Sequence, residues 1–391
     1  MNQSIKNHQA SFIRAQINDL PIPSIMTTSN TPLIRVEKRR RVISTWPTDT
    51  YDFDFYVGKR PLQHHTVFLF VPGNPGCSGW YVNMLKMVLE KMGVGYAVRA
   101  CSYAGHGIGP DVVKAGYTFD ECSRDRDISW TIKGQTVHKL QWIDSITEEW
   151  GESEFHKGLG QSAESVPRII FLSHSIGSHL VQRICVLRPD ILLRTITIIH
   201  LMPFFRFDPY PKWKKTYLST VAQSPELAIW FLRTCSRIAS MLPTAFVNLY
   251  LEEIAGVSVV EDRELARGLL VSPDFARNFL TLGLEEIRDV PEAHDLAAMN
   301  LIGRFCAQYI FFCGDKTNPD QWCPKQHMED LEKAKAEKLI PQNVFMKCDE
   351  NLLHAFVVYP SMIGCIVEYI CDSAQQAHNV CSLGPMLKSK L

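Results

Sequence analysis

Short apolar runs alternate with helical segments along most of this 391-residue chain. The run Thr66–Val71 is apolar at successive positions, which is typical of a strand buried on both faces of a parallel sheet. Further strands are predicted at residues 96–101, 168–173, 195–201, 309–313 and 344–347. Repeated strand–helix units fold into a parallel sheet with helices on both faces. We therefore predict an α/β protein with a mostly parallel central sheet.

The stretch from residue 204 to about residue 304 interrupts this alternation. It has helical spacing and no strand pattern, and it is too long for a connecting loop, so we interpret it as an inserted helical cap. Residues 1–36 are predicted to form a polar lead-in, and residues 37–391 a single domain. Two more strands are predicted near the start of that domain, at residues 41–45 and 51–57.

The charge balance argues against a nucleic-acid-binding protein, because Lys+Arg and Asp+Glu both number 41. The 12 cysteines form no CxxC pair, so we expect neither a zinc site nor a disulfide framework, and nothing implies a metal or another cofactor. The N-terminal residues contain no apolar segment typical of a secretory signal. We therefore expect the protein in the cytosol or on the cytosolic face of an organelle.

The segment F-L-S-H-S-I-G at residues 171–177 runs from a predicted buried strand directly into a predicted helix. A serine nucleophile needs this context, because it lies in a strained turn whose neighbours two positions away must be small. Gly177 meets this requirement, and Ser173 stands where Gly is more usual. The turn would point the Ser175 hydroxyl out of the sheet at a helix N-terminus, where the dipole favours developing negative charge. Ser175 is therefore the candidate nucleophile.

A serine nucleophile also needs backbone N–H groups that stabilise an oxyanion. In a fold with such an elbow, one donor is the amide after the nucleophile, which is Ile176 here, and the other lies in the loop after an earlier strand. That loop is P-G-N-P-G at residues 72–76. Because Pro75 has no N–H, we assign the second donor to Asn74.

The general base should follow the nucleophile and the acid along the chain, as it does in the α/β-hydrolase fold. Three histidines lie late enough. His327 falls in a charged predicted helix and His378 in the tail, whereas His354 comes shortly after the last predicted strand. We predict that His354 Nε2 accepts the Ser175 proton and later donates it to the leaving group.

Two carboxylates compete for the role of the acid that orients the imidazole. Asp315 lies nearest the end of the predicted strand at 309–313, and Asp320 opens the string D-Q-W-C-P, whose Trp and Pro would fix its loop. We favour Asp320 and keep Asp315 as the alternative. The other Asp would be solvated or would cap a turn.

Five strings in the sequence together resemble the lipid droplet-associated hydrolases. They are V-P-G-N-P-G at 71–76, the Trp–Tyr pair at 80–81, H-S-I-G at 174–177, D-x-W-C-P at 320–324 and H-A-F at 354–356. The resemblance extends from about residue 66 to the last predicted helix and is weakest in the cap. The chain departs from the family pattern where Ser173 replaces the elbow Gly, where 314–320 is longer than the usual G-x-x-D, and where residues 151–167 form an insertion.

This resemblance implies an α/β-hydrolase fold with a triad of Ser175, Asp320 and His354. It also implies association with lipid droplets and the cytosolic face of the endoplasmic reticulum through apolar surface. A role in neutral lipid or sterol ester metabolism is a further implication of the resemblance.

We expect a cofactor-independent serine hydrolase that cleaves lipid-like carboxylic esters, of the sterol ester or acylglycerol class, by acylation of Ser175. Two alternatives stay open: a catalytically weak or inactive hydrolase-fold protein that binds lipid droplets, and an acyltransferase or thioesterase with the same triad. The apolar stretch 227–251, with Arg233 and Arg237 four residues apart, would line an acyl pocket or lie on a phospholipid monolayer. The expected partners are a lipid ester and a droplet or reticulum surface, with no nucleic acid and no obligate protein partner.

Overall fold

The computed structural model describes residues 31–43, 46–106, 131–152, 166–207, 223–253, 257, 260–314 and 324–382. In this part of the chain nine strands form one sheet. The strands are β1 (Leu33–Ile43), β2 (Trp46–Val57), β3 (Arg60–Pro61), β4 (Thr66–Val71), β5 (Tyr96–Cys101), β6 (Arg168–His174), β7 (Thr195–Leu201), β8 (Ala307–Cys313) and β9 (Val344–Asp349).

The sheet is mostly parallel, as predicted. Its strand order is β1-β2-β5-β4-β6-β7-β8-β9, and the two-residue β3 pairs with β2. The β1–β2 and β2–β5 pairs are antiparallel, whereas every neighbouring pair from β5 to β9 is parallel. The carboxyl ends of the parallel strands therefore meet at one edge of the sheet, where ligand sites form in open α/β folds.

Helices cover both faces of the sheet in the described part of the chain. They are α1 (Val82–Met92), α2 (Ile132–Glu152), α3 (Ile176–Leu187), α4 (Pro189–Leu192), α5 (Pro225–Met241), α6 (Thr244–Glu253), α7 (Val260–Leu270), α8 (Pro273–Asp289), α9 (Leu296–Gly303), α10 (Lys325–Ala336) and α11 (Pro360–Ser382). Side chains of α1, α10 and α11 join one apolar core, and those of α2 and α3 join the other. This is the doubly covered sheet that strand–helix alternation predicts.

The central strands carry the clearest sequence signal, because both of their faces are buried. All residues of β4 and β7 are buried. A strand in this position has no solvent face, so polar residues do not alternate with apolar ones. The predicted bounds of β4 and β7 match the structure at both ends, as do those of β5, which is only partly buried.

The first strand begins earlier than the sequence predicts. β1 starts at Leu33, so the last residues of the predicted 1–36 lead-in belong to the sheet, and the strand predicted at 41–45 is wrong in its start. Five charged residues in succession, from Glu37 to Arg41, hide the strand from an apolar pattern. In the structure the four basic residues among them pair with acidic residues of β2, and Arg41 lies 3.1 Å from the buried Asp52.

The region between β7 and β8, where the sequence predicts a helical cap, contains α5 to α9. α5 and α8 pack against each other, and α2 contacts α8. Among the residues that the structure describes, no helix combines the length and the apolar character needed to cross a membrane.

The turn between β6 and α3 has the backbone that a nucleophile elbow requires. Ser175 adopts φ 52° and ψ −127°, a conformation that residues other than Gly rarely enter. A Cβ at Gly177 would lie 2.4 Å from the Val71 carbonyl oxygen and 2.5 Å from that of Pro72. α3 therefore approaches the end of β4 at a distance that only glycine permits.

Ser173 fits the elbow although it replaces the more usual Gly. Its hydroxyl lies 2.8 Å from His200 Nδ1 and 3.1 Å from Ser178 Oγ, and all three side chains are buried. The additional atoms therefore make buried hydrogen bonds to β7 and α3 rather than a steric conflict.

Gly177→Ala is expected to destabilise the protein by about 3 kcal/mol, because the added methyl group would overlap two backbone oxygens that cannot rotate away. The measurement is urea unfolding followed by tryptophan fluorescence. Gly364→Ala is the matched control: this exposed glycine of α11 has nothing within 4 Å of the added Cβ. The control should be stabilised by up to about 1 kcal/mol. Equal unfolding midpoints for the two variants would contradict the close approach of α3 to β4.

Candidate active site

The Ser175 hydroxyl and the His354 imidazole meet at the carboxyl edge of the sheet. Ser175 follows β6 and is 8% exposed, and His354 lies in the loop after β9. Ser175 Oγ is 2.8 Å from His354 Nε2 although the two residues are 179 positions apart in the chain. This distance lies within the range that direct proton transfer needs. The structure therefore brings together the two residues that the sequence predicts as nucleophile and base.

His174 connects the elbow to the loop that carries His354. Its Nε2 lies 3.0 Å from the His354 backbone oxygen, which can only accept, so Nε2 carries the proton. Nδ1 then accepts a hydrogen bond from the Tyr81 hydroxyl, 2.7 Å away. The Gly73 amide donates to the same hydroxyl oxygen at 3.4 Å. One buried chain of hydrogen bonds therefore joins the 72–76 loop, the elbow and the His354 loop.

His174 makes these two bonds as a neutral imidazole. Burial lowers its pKa well below the ordinary 6.5, and the neighbouring His354 ring, with its centroid 4.9 Å away, lowers this pKa further. The Phe356 ring packs against it edge to face at 5.2 Å. A neutral ring has one donor and one acceptor nitrogen, as the two bonds require. The two neighbouring rings therefore differ in role. His174 makes hydrogen bonds to the His354 backbone oxygen and to Tyr81, whereas the His354 ring contacts the Ser175 hydroxyl.

The 72–76 loop lies directly against the elbow. A Cβ at Gly73 would lie 2.7 Å from Ser175 Cβ, so this position requires glycine. The Tyr103 hydroxyl donates to the Pro72 backbone oxygen at 2.5 Å, which fixes the loop from the side of β5. Asn74 is partly buried within this loop. The loop therefore follows β4 in the position that the sequence predicts for the second oxyanion donor.

The predicted first donor, the Ile176 amide, lies at the start of α3. Ile176 is fully buried, and amides in the first turn of a helix have no partner inside that helix. Ile176 and Asn74 thus belong to the two segments that flank Ser175. Their roles as oxyanion donors stay predictions.

Asp315 and Asp320, the two predicted acids, lie outside the described residues. β8 ends at Cys313, and the Gly314 amide donates to the Asp349 backbone oxygen at 3.2 Å. Gly314, the last described residue before the two carboxylates in the chain, therefore lies beside the end of β9, the strand that precedes His354. The choice between the two acids stays a prediction.

Sequence reasoning did not identify Tyr81 and His174 as parts of this site. Both lie in the strings that carry the family resemblance, at 80–81 and 174–177. Their contact, however, joins a 3₁₀ helix after β4 to the end of β6, and no local pattern predicts it.

The chemistry available at this site is that of a hydroxyl group, an imidazole and backbone amides. Within residues 31–382, leaving out the undescribed gaps, no group of three or more His, Cys, Asp or Glu side chains is arranged to hold a metal ion.

Curated proteins with related sequences are named Lipid droplet-associated hydrolase. The protein from Pongo abelii is 24% identical over 312 residues, which are 77% of this chain and 82% of the relative. The Homo sapiens protein is also 24% identical over 312 residues, with the same coverage of both chains. The Gallus gallus protein is 22% identical over 316 residues, 78% of this chain and 85% of the relative.

Solved structures with a similar fold include two epoxide hydrolases. CorEH gives a TM-score of 0.52 at 12% identity and covers 88% of this chain and 98% of its own. A laboratory evolved variant of potato epoxide hydrolase StEH1 gives 0.50 at 14% identity and covers 88% of this chain and 100% of its own. At these identities the likeness shows the fold alone, which is the α/β-hydrolase fold.

The family described as Lipid-droplet associated hydrolase matches residues 64–357. The matched segment contains the 72–76 loop, the elbow and His354, and it spans well over half of the sequence. This chain therefore belongs to the lipid-droplet associated hydrolase family.

Proposed function

We propose that this protein is a serine hydrolase that cleaves lipid-like carboxylic esters, of the sterol ester or acylglycerol class, at the surface of lipid droplets. The observation that carries the proposal is the 2.8 Å distance between Ser175 Oγ and His354 Nε2 at a strained elbow. A buried serine has no structural need for φ 52°, and such strain is concentrated at functional sites.

In the proposed reaction Ser175 Oγ attacks the ester carbonyl carbon while His354 Nε2 takes the hydroxyl proton. The carbonyl oxygen becomes an oxyanion, which the amides of Ile176 and Asn74 stabilise. His354 then returns the proton to the departing alcohol, and an acyl–Ser175 ester remains. Water, deprotonated by His354, attacks this ester and releases the carboxylic acid and the free serine.

We assign the acid of the triad to Asp320, with Asp315 as the alternative. The carboxylate would accept a hydrogen bond from the protonated nitrogen of His354 and stabilise the imidazolium that forms during attack. Support comes from chain order, since both residues follow Ser175 and precede His354.

The cap supports a lipid surface as the working environment. On α5 the exposed side chains of Leu227, Trp230, Phe231, Ile238 and Met241 recur at helical spacing, so they share one face. On α6, Phe246, Leu249 and Tyr250 are also exposed. A soluble surface rarely concentrates so many large apolar side chains on successive helices.

We propose that this apolar cap face lies on the phospholipid monolayer of a lipid droplet. Arg237 is exposed at the border of the α5 face, where a cation would contact lipid phosphates. The name of the family supports the droplet as the membrane. The same face also favours the second candidate function, a droplet-binding protein with little turnover, because docking does not require the Ser175–His354 pair.

Ser175→Ala is expected to lower ester hydrolysis at least about a thousandfold and to abolish labelling by a fluorophosphonate probe. The assay is a panel of p-nitrophenyl esters of increasing chain length, with labelling followed in gels. Ser240→Ala, at an exposed position of α5, is the control and should still be labelled. If folded wild-type protein is not labelled, the droplet-binding alternative replaces the hydrolase.

Tyr81→Phe is expected to lower kcat about tenfold with little change in KM, because the elbow and the 72–76 loop lose their shared hydrogen bond. The variant leaves His174 Nδ1 buried without a donor, which should cost about 1–3 kcal/mol of stability. Steady-state kinetics and urea unfolding measure the two effects. Kinetics identical to wild type would show that this hydrogen-bond chain does not position the reacting groups.

Replacement of Trp230, Phe231 and Phe246 by Glu is expected to abolish binding to artificial droplets with a triolein core and a phosphatidylcholine monolayer, because three charges cannot enter the acyl region. Flotation with the droplets measures binding. The control replaces Val94, Leu187 and Leu193, which are exposed elsewhere on the molecule, by Glu. If both triple variants float like wild type, the cap face is not the docking surface.

A further inference from the structure

Cap helix α8 packs over the 72–76 loop. Asn74 Nδ2 donates to the Phe279 backbone oxygen at 3.3 Å, and a Cβ at Gly283 would lie 3.5 Å from the same nitrogen. Asn278 Nδ2 also donates to the Gly105 backbone oxygen at 2.6 Å. The proposed reaction uses only the backbone amide of Asn74. Its side chain is nevertheless held by the cap.

Glu286 of α8 is a buried carboxyl group beside this contact. The residue is 5% exposed, and among the described residues its Oε1 has no hydrogen-bond partner. The Asn74 side chain is its hydrogen-bonding neighbour, and Tyr103 is close enough for the Glu286 charge to raise the pKa of its hydroxyl. In the described part of the chain Glu286 takes part in no ion pair. A buried carboxyl group without a cation is costly to ionise, so it shifts towards the neutral acid.

We propose that Glu286 is a positioning residue: its carboxyl group, lodged between the cap and the 72–76 loop, holds Asn74 where the backbone amide can stabilise the oxyanion. This inference rests on the proposed serine hydrolase mechanism. It adds to that mechanism a contact from the cap that controls the oxyanion site.

Glu286 performs this role as a neutral acid. Burial raises its pKa to about 8, against the opposing effect of the hydrogen bond from Asn74. Asn74 Oδ1 is a buried acceptor without a donor, as is Glu286 Oε1. A carboxyl proton supplies a donor of the kind that these unpartnered acceptors lack. The neutral form therefore adds a donor to the contact, and ionisation removes that donor and leaves only the hydrogen bond from Asn74.

Ionisation above pH 8 has a second effect on catalysis. It places a negative charge in a water-excluded region beside the loop that must stabilise another negative charge. Reaction at Ser175 should therefore decline on the alkaline side as Glu286 ionises.

The pH dependence caused by Glu286 must be distinguished from that of other titratable groups near this contact. Lys139, with a pKa lowered by burial to about 8, has its Nζ 4.7 Å from the Tyr103 ring centroid and donates to a backbone oxygen. Burial lowers the pKa of His106 to about 4, so this ring stays neutral. On α8 itself, Glu285 has a pKa raised by burial and pairs with Arg288.

The experiment measures the rate of inactivation by a fluorophosphonate probe, and the hydrolysis of p-nitrophenyl butyrate, from pH 6 to 9.5. The wild-type rate should fall by up to about tenfold per pH unit above pH 8. Glu286→Gln, which mimics the neutral acid, should stay within about threefold of wild type at pH 7 and lose the alkaline decline. Glu286→Leu should be about tenfold to a hundredfold slower at pH 7, with KM little changed.

Thermal unfolding adds a second readout, which distinguishes an effect on the position of Asn74 from an effect on folding stability. Because the folded-state pKa of Glu286 is raised, wild-type protein loses stability relative to Glu286→Gln as pH rises from 5 towards 8. The Tm difference in favour of the Gln variant should therefore grow over that range. Glu285→Gln is the matched control and should keep the wild-type alkaline decline.

A decline that persists in Glu286→Gln would assign it to another group such as Lys139 and overturn the inference, while the hydrolase mechanism would stand. A wild-type rate in Glu286→Leu would overturn it as well. Absence of labelling of the folded wild-type protein at every pH would remove the hydrolase mechanism and the inference together.

Discussion

The His174 imidazole, bonded at both nitrogens, is the interaction on which the site geometry depends. One nitrogen binds the backbone of the His354 loop and the other binds Tyr81, which also receives the Gly73 amide. Three segments that are distant in sequence thus meet on one ring. Because the ring is buried and neutral, each of its bonds has a fixed direction. The 2.8 Å contact between serine and imidazole follows from this fixed arrangement rather than from local sequence.

The sequence predicts those parts of the fold whose signal is local. Continuous apolar runs identify the central strands because both faces of these strands are buried, and small residues around Ser175 identify the elbow because the turn excludes a Cβ at Gly177. The first part of β1 escaped prediction, and the predicted strand began only at residue 41, since the charged residues resemble a solvated segment until Asp52 of the next strand is known. Its stability depends on a partner strand that a periodicity argument does not include.

The residues of the candidate site divide in the same way, into those that the sequence predicts and those that it does not. Ser175 and His354 are predictable from order along the chain, and the structure places them in contact. The roles of His174 and Glu286 are not predictable, because each depends on contacts between residues far apart in the sequence. For Glu286 the sequence indicates only that a carboxylate lies within an amphipathic cap helix. Its burial beside Asn74 appears only once α8 is packed over the loop.

Ser175 lies near the middle of the chain and His354 near its end, 179 positions later, and this separation has a consequence for assays of the protein. A chain in which only the first half has folded contains the hydroxyl but no acceptor for its proton, and one in which only the sheet core has formed lacks the loop of His354. Under the proposed mechanism, labelling of Ser175 therefore reports on folding as far as the His354 loop. A single covalent probe can monitor folding from β4 to β9 without any spectroscopic signal.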